Sequence, residues 1–367
     1  MLCHTLAAAL VLVVSAYAPS SSWVAQPSPT TERLRGVDAV SDTAAWASGN
    51  KGTVLRTSDG GLSWSRLAVP DTDALDFRDI EAVGASTAYL LSIGAGDVSR
   101  IYKTTDGGNT WSLQFRNADP RAFYDAIAFW DANRGLAIGD PVDGRFTVIY
   151  TSDGGRTWTP VPPANLPLAL PGESAFAASG TCLVVQGSRR AWFGTGGGAR
   201  SRVFRTADNG LSWSVADTPV AAGNASSGIF SLAFSDAEHG IAVGGDYRRE
   251  GDGGDNLAIT ADSGRTWTAP GAVRLRAYRS AVAYLPGSNG RRLIAVGPAG
   301  SDASEDGGAS WAPLGDEGFH ALSVSPTGRL AWAVGEQGRI SFLRTTTAQR
   351  GGLSSESQFP RLSPFLP

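Results

Sequence analysis

One eight-residue pattern recurs six times along this chain and constrains its fold more than any other feature. Thr57-Ser58-Asp59-Gly60-Gly61-Leu62-Ser63-Trp64 returns around Asp106, Asp153, Asp208, Asp262 and Asp306, each copy reading [ST]-x-D-x-G-x-[ST]-W, with Glu305 at the variable position of the last. The six tryptophans, Trp64 to Trp311, stand 47, 47, 55, 54 and 44 residues apart. That is the period of a four-stranded propeller blade. A structural role follows for the six aspartates. Each carboxylate accepts hydrogen bonds from its own turn, the glycine supplies positive φ, and the tryptophan opens an outer strand whose ring plugs the space beside it. Six equivalent copies cannot all be one active site.

Upstream of each copy runs an apolar strand, a turn, a second strand ending in glycine, and a third strand leading into the pattern. Ala126-Ile127-Ala128-Phe129, Gly135-Leu136-Ala137-Ile138-Gly139 and Thr147-Val148-Ile149-Tyr150 are one such set. A seventh unit, Phe319 to Thr345, has three strands and no aspartate turn, and Trp23-Val24-Ala25-Gln26 at the other end supplies a strand with the missing tryptophan. The expectation is an all-β chain: a seven-bladed β-propeller of four-stranded blades over 23–345, closed by an N-terminal strand that completes the last blade. Ahead of it, the apolar run Leu6–Val14 and the small-x-small triplet Ala16-Tyr17-Ala18 read as an export signal over 1–22, with an uncleaved anchor as the alternative. Behind it, the Ser-, Gly- and Pro-rich stretch 346–367 reads as a disordered tail.

With six boxes, seven blades and this closure, the chain resembles the BNR/Asp-box repeat propellers, and among them the photosystem II stability and assembly-factor family. That resemblance implies a non-enzymatic scaffold that binds a partner protein, in photosynthetic members a photosystem II reaction-centre protein during assembly. The export signal, if used, would place the chain in the periplasm, thylakoid lumen or extracellular space. The same boxes occur in sialidases, sortilin-type receptors and cellulose-active enzymes, so they specify the fold better than the function.

Other chemistries lack parts. A net charge of -3, with 18% charged residues, calls for neither nucleic acid nor an acidic membrane surface. Beyond the leader stand only His239, His320 and Cys182, too few for a His/Cys metal cluster, and Cys182 lies in the apolar run Thr181–Val185 as a buried thiol. Neither cofactor nor metal is expected, and the chain reads as a monomer. The Gly-rich loop 251–256 reads as polar rather than as a calcium site.

In a propeller, binding concentrates where loops enter the innermost strands at the channel mouth. Aligning the residue before each inner strand gives Arg35, Arg78, Tyr124, Glu173, Ile229, Arg279 and His320, with Asp79 and Asp125 at the next position. The three arginines offer planar donors to carboxylates or carbonyls of a partner, and Tyr124, Tyr247 and Phe230 offer aromatic contacts. The bland alternative is a solvated rim of mutually paired charges. A glycoside hydrolase of sialidase type is the enzymatic alternative. Arg35, Arg78, Arg279, Tyr124, Glu173 and Asp125 supply its residue types, although the Arg-Ile-Pro opening is replaced by Leu34-Arg35-Gly36. A carbohydrate-binding or adhesion module using Trp130 and Trp192 is a third reading, set against burial of both rings between blades.

Overall fold

The period of the repeat is realised as seven antiparallel sheets arranged around one axis, seen in a computed structural model that describes residues 22–271 and 273–345. Apart from Ser22, the export signal read over 1–22 and the tail read over 346–367 lie outside the described residues. The innermost strands are Leu34–Ala39, Asp76–Ala82, Tyr124–Phe129, Leu183–Gln186, Ser227–Phe234, Ala281–Tyr284 and Ala321–Val324, which define blades one to seven. Six blades have four strands in simple up-and-down order. The fifth has three, and its outer edge is covered by a single bridge, Ile259 to Thr268. Pro270 follows two residues later and has no N–H to extend that ladder.

The ring closes as the sequence predicts. Val24–Ala25 pairs antiparallel with Ile340–Arg344, which makes the N-terminus the outer strand of blade seven. Trp23 packs against Phe319 with ring centroids 4.9 Å apart and donates its Nε1–H to Ser301 Oγ at 2.9 Å.

Two devices join the blades. The first is the aspartate turn. In all six, the first Ser or Thr hydroxyl donates to the Asp carboxylate, which also accepts the backbone N–H and hydroxyl of the Ser or Thr before the tryptophan. Hydrogen bonds from Ser63 and Thr110, first from the hydroxyl and then from the backbone, hold the exposed Asp59 and Asp106 down at about 2. The turn's last glycine has positive φ, and in blades two to six it lies against the second strand of the preceding blade. Gly155 meets Tyr89, and Gly264 meets Trp192. Tyr89 and Trp192 then donate to the Gly154 and Ser263 carbonyls of those same turns, at 2.9 and 2.8 Å. Trp192 is buried in this joint and stacks on Phe234 at 3.7 Å, whereas Trp130 is half-buried and donates to the Arg190 carbonyl.

The second device is a belt of side chains around the channel. Asp38 accepts the N–H of Ala82, Asp79 that of Ile127, Glu81 that of Phe129 and Asp140 that of Ala175. Thr181 and Ser231 share a hydrogen bond, Ser231 accepts from Val282, Ser280 donates to the His320 carbonyl, and Ser323 accepts from Ala39. Each blade is thereby tied to the next, from one through seven and back to one.

Candidate functional site

Blade four departs from its neighbours, because its inner strand begins late, at Leu183, and the preceding stretch Glu173–Cys182 is irregular. That stretch crosses the channel. Arg35 of blade one donates its Nε–H to the Ala178 carbonyl at 3.0 Å, and Arg78 of blade two donates to the Ala177 carbonyl at 2.9 Å. Ser179 donates to the Ser280 carbonyl of blade six at 2.8 Å. One segment reaches blades one, two and six together only by lying across the axis. Gly180, at φ +79°, rests directly against the Asp79 carboxylate, where a Cβ has no room. Gly180→Ala is expected to destabilise the fold by about 2 kcal/mol, through both backbone strain and overpacking, measured as a lower urea midpoint.

The crossing segment forms the floor of a cavity of about 470 Å³ on the side where the inner strands begin. Arg33, Arg35, Arg78, Asp125, Asp140, Glu250, Glu336 and His320 line it, with Phe123, Phe176, Phe230, Tyr247 and Tyr278 as its aromatic walls. Phe176 stacks on Phe230 at 4.1 Å, Tyr278 meets Phe230 edge-on, and Tyr247 is 40% exposed on the rim.

The structure gathers some of the residues predicted for this rim and disperses others. Arg35, Arg78, Asp125 and His320 line the cavity, as do Tyr247 and Phe230. Asp79 is buried in the belt just beneath, on Ile127. Tyr124 lies instead in the blade core, edge-on to Phe115 at 5.3 Å, and burial pushes its hydroxyl up to about 12. Glu173 is buried under the rim, where it accepts from Thr195 Oγ1 at 2.6 Å and from Arg202 Nε at 2.9 Å. Arg279 is wholly buried. Its Nε and Nη2 donate to Asp302 Oδ2 at 2.9 and 2.5 Å, and Asp302 also takes Arg276. Ile229 is buried as well.

A slip of one residue accounts for Tyr124 and Ile229. Strand pairing skips one residue at the start of blades one, two, three and five, leaving Arg35, Arg78, Asp125 and Phe230 as bulged positions, and all four line the cavity. A one-residue shift in a strand turns the side chain to the opposite face, so Tyr124 and Ile229, one position earlier, point inward. The set of residue types required by a sialidase is therefore not assembled at one place. Phe123, Asp140, Phe176 and Tyr278, which sequence reasoning passed over, belong to the lining. The recurring glycine position of the second strand, such as Gly139 packed against the Phe123 carbonyl, marks the register that locates them.

Electrostatically the cavity is divided. Arg78 pairs with Asp76 at 2.8 Å, and Arg33 approaches Glu336 at 3.9 Å. Arg35 has no carboxylate partner among the described residues. Burial, then the nearby Arg78, lower it to about 10, so it remains a cation at neutral pH. His320 shares a hydrogen bond with Glu336 at 2.7 Å, but burial and then Arg35 bring it down to about 4, which leaves it neutral. In blade three, burial and then Asp140 raise Asp125 well above the carboxylate range, and burial raises Asp140 to about 6. Among the described residues there is no group of three or more His, Cys, Asp or Glu that could hold a metal ion. Among the same residues no helix is long and apolar enough to cross a membrane.

Comparison with known proteins places these features. Residues 2–235 match the model of the DUF6242 beta propeller domain. The photosystem II assembly lipoprotein Ycf48 of Synechococcus sp. (strain CC9902) is 34% identical over 73 residues, 20% of this chain, and the match spans only 21% of that protein's length. Among solved structures, Ycf48 bound to a D1 peptide superposes with a TM-score of 0.62 at 16% identity, covering 90% of this chain and 99% of that one. Ycf48 from Cyanidioschyzon merolae gives 0.63 at 17% identity, covering 88% and 99%. A GH74 xyloglucanase from Xanthomonas campestris gives 0.62 at 18% identity, covering 88% of this chain and 53% of the enzyme. At such identities these superpositions speak for the fold alone, which assembly proteins and glycosidases share.

Proposed function

Because the chain belongs to the DUF6242 beta propeller domain family, and so to a fold that serves many functions, we propose a function from its channel mouth: it is a protein-binding scaffold of the photosystem II assembly-factor kind, not an enzyme. A partner protein, a subunit of a membrane complex, docks on the face where the inner strands begin. The observation that carries this reading is Arg35, a half-buried guanidinium in the cavity with no carboxylate partner among the described residues. Such a group offers a planar, permanently charged fork to an incoming carboxylate or carbonyl. Tyr247 and the Phe176–Phe230 stack beside it are of the residue type that anchors protein interfaces. The partner seen with Ycf48, a D1 peptide, supports a protein ligand for this fold. Export of the chain to a periplasm, lumen or extracellular space, by the leader read over 1–22, belongs to the same proposal, as does action as a monomer.

The test is affinity capture from native extract with the full chain and with Arg35→Glu and Arg78→Glu as matched baits. Arg279 is left unchanged because its substitution would report on folding. The expected result is a membrane-complex subunit retained by the wild type and lost by both variants, about tenfold or more in recovery for a reversed interface charge. Identical retention by all three baits would remove the channel mouth from the reading.

A further inference from the structure

Arg35 and Arg78 reach the cavity from blades one and two, and blade three brings an unsatisfied buried carboxyl group into the same cavity. Asp125 lines the cavity, is only 2% exposed, and its Oδ2 has no hydrogen-bond partner among the described residues. A buried carboxylate oxygen left unpartnered is costly and uncommon, and asks for a donor from outside. Asp140 lines the same cavity, and only its Oδ1 is engaged, by the Ala175 N–H at 3.0 Å. No Lys, Arg or His pairs with either carboxylate among the described residues. Arg78 pairs with Asp76 and donates to the Ala177 carbonyl, and Arg35 directs its Nε–H to the Ala178 carbonyl rather than to either carboxyl. Phe123 and Phe176 stand in the same lining as flat apolar faces.

We infer that Asp125 and Asp140 form a receptor site for a guanidinium side chain, an arginine that the docking partner inserts into the channel mouth. A planar cation with several fixed donors can satisfy the orphan Oδ2 and the open side of Asp140 together while stacking on a phenyl face. A metal ion fits less well, because among the described residues no third His, Cys, Asp or Glu joins the pair to complete a coordination shell. The site extends the docking reading above by naming the chemistry the partner presents, and the Asp125 environment stands whether or not that partner is a protein.

The test uses a small probe, so it is independent of the capture experiment. N-acetyl-arginine methylamide is titrated into the full chain at neutral pH by NMR, beside the lysine analogue, and repeated on Asp125→Asn and Asp140→Asn. The near-isosteric amides keep an acceptor for the belt, and unchanged urea midpoints show that both variants are folded. Saturable binding of the arginine probe that weakens about tenfold or more in each folded variant is the expected result. Should one variant not fold, the other decides. No saturation on the wild type, or equal affinity in the variants, overturns the site, and a lysine probe that binds as well as the arginine one overturns the guanidinium assignment. Probe binding without protein capture would leave this site standing and remove the partner protein, and the converse would do the reverse.

Discussion

Arg279→Ala is expected to lower the stability of the propeller by about 3–5 kcal/mol, read as a fall in the urea midpoint at unchanged slope. The guanidinium is wholly buried and donates through Nε and Nη2 to Asp302, itself 1% exposed, and through Nη1 to the Tyr278 carbonyl. Truncation leaves the Asp302 carboxylate in the protein interior with one of its two arginines gone. Arg276 still reaches its other oxygen, at 2.8 Å, which places the expected loss nearer the lower figure. The double variant Arg279→Leu with Asp302→Leu removes both members of the buried pair and is expected to recover much of the loss, since an apolar pair carries no desolvation penalty. Arg35→Ala, whose residue is half-buried and lacks an ion pair, is expected to move the midpoint far less. If Arg279→Ala and Arg35→Ala behave alike, the separation of a folding arginine from a channel arginine is wrong.

That separation shows where the sequence was and was not readable. The blade count, the closure and the shared turn geometry followed from [ST]-x-D-x-G-x-[ST]-W because a repeat is a local signal copied many times. The mouth was harder. In blades one and two the alignment fell on the bulged residues, Arg35 and Arg78, and both line the cavity. In blade three it fell one residue early, on Tyr124 rather than Asp125, and a bulge leaves no mark in composition that tells the two apart. Blade four was beyond such reasoning, because Glu173–Cys182 abandons the repeat to cross the channel, and only the three-dimensional ring reveals what it meets there. The belt was likewise invisible: Asp38, Glu81 and Asp140 are ordinary strand acids until the neighbouring blade presents its N–H groups.

The belt also fixes how stability should vary with pH. Asp79 is 5% exposed, accepts the Ile127 N–H at 2.8 Å, and burial pushes it up to about 7. An unfolded aspartate titrates near pH ~4, so between about pH 4 and 7 the unfolded chain has released a proton that the folded chain retains. Stability is then fullest below that window and falls as pH rises through it, by up to about 4 kcal/mol for one such group. Asp140, raised to about 6, acts in the same direction. The turn aspartates act oppositely and in another window. Asp59 and Asp106 are held at about 2, so their contribution is present above about pH 4 and is lost only as pH falls toward 2. The two limbs meet in a stability maximum at mildly acidic pH. Asp79→Asn keeps a carbonyl for Ile127 and removes the titration, so urea midpoints followed from mildly acidic to mildly alkaline pH should fall steeply in the wild type and more shallowly in the variant. Parallel curves, or a wild type that gains stability as pH rises through neutrality, would mean that Asp79 is ionised in the fold and that the belt is held by charge rather than by protonated carboxyls.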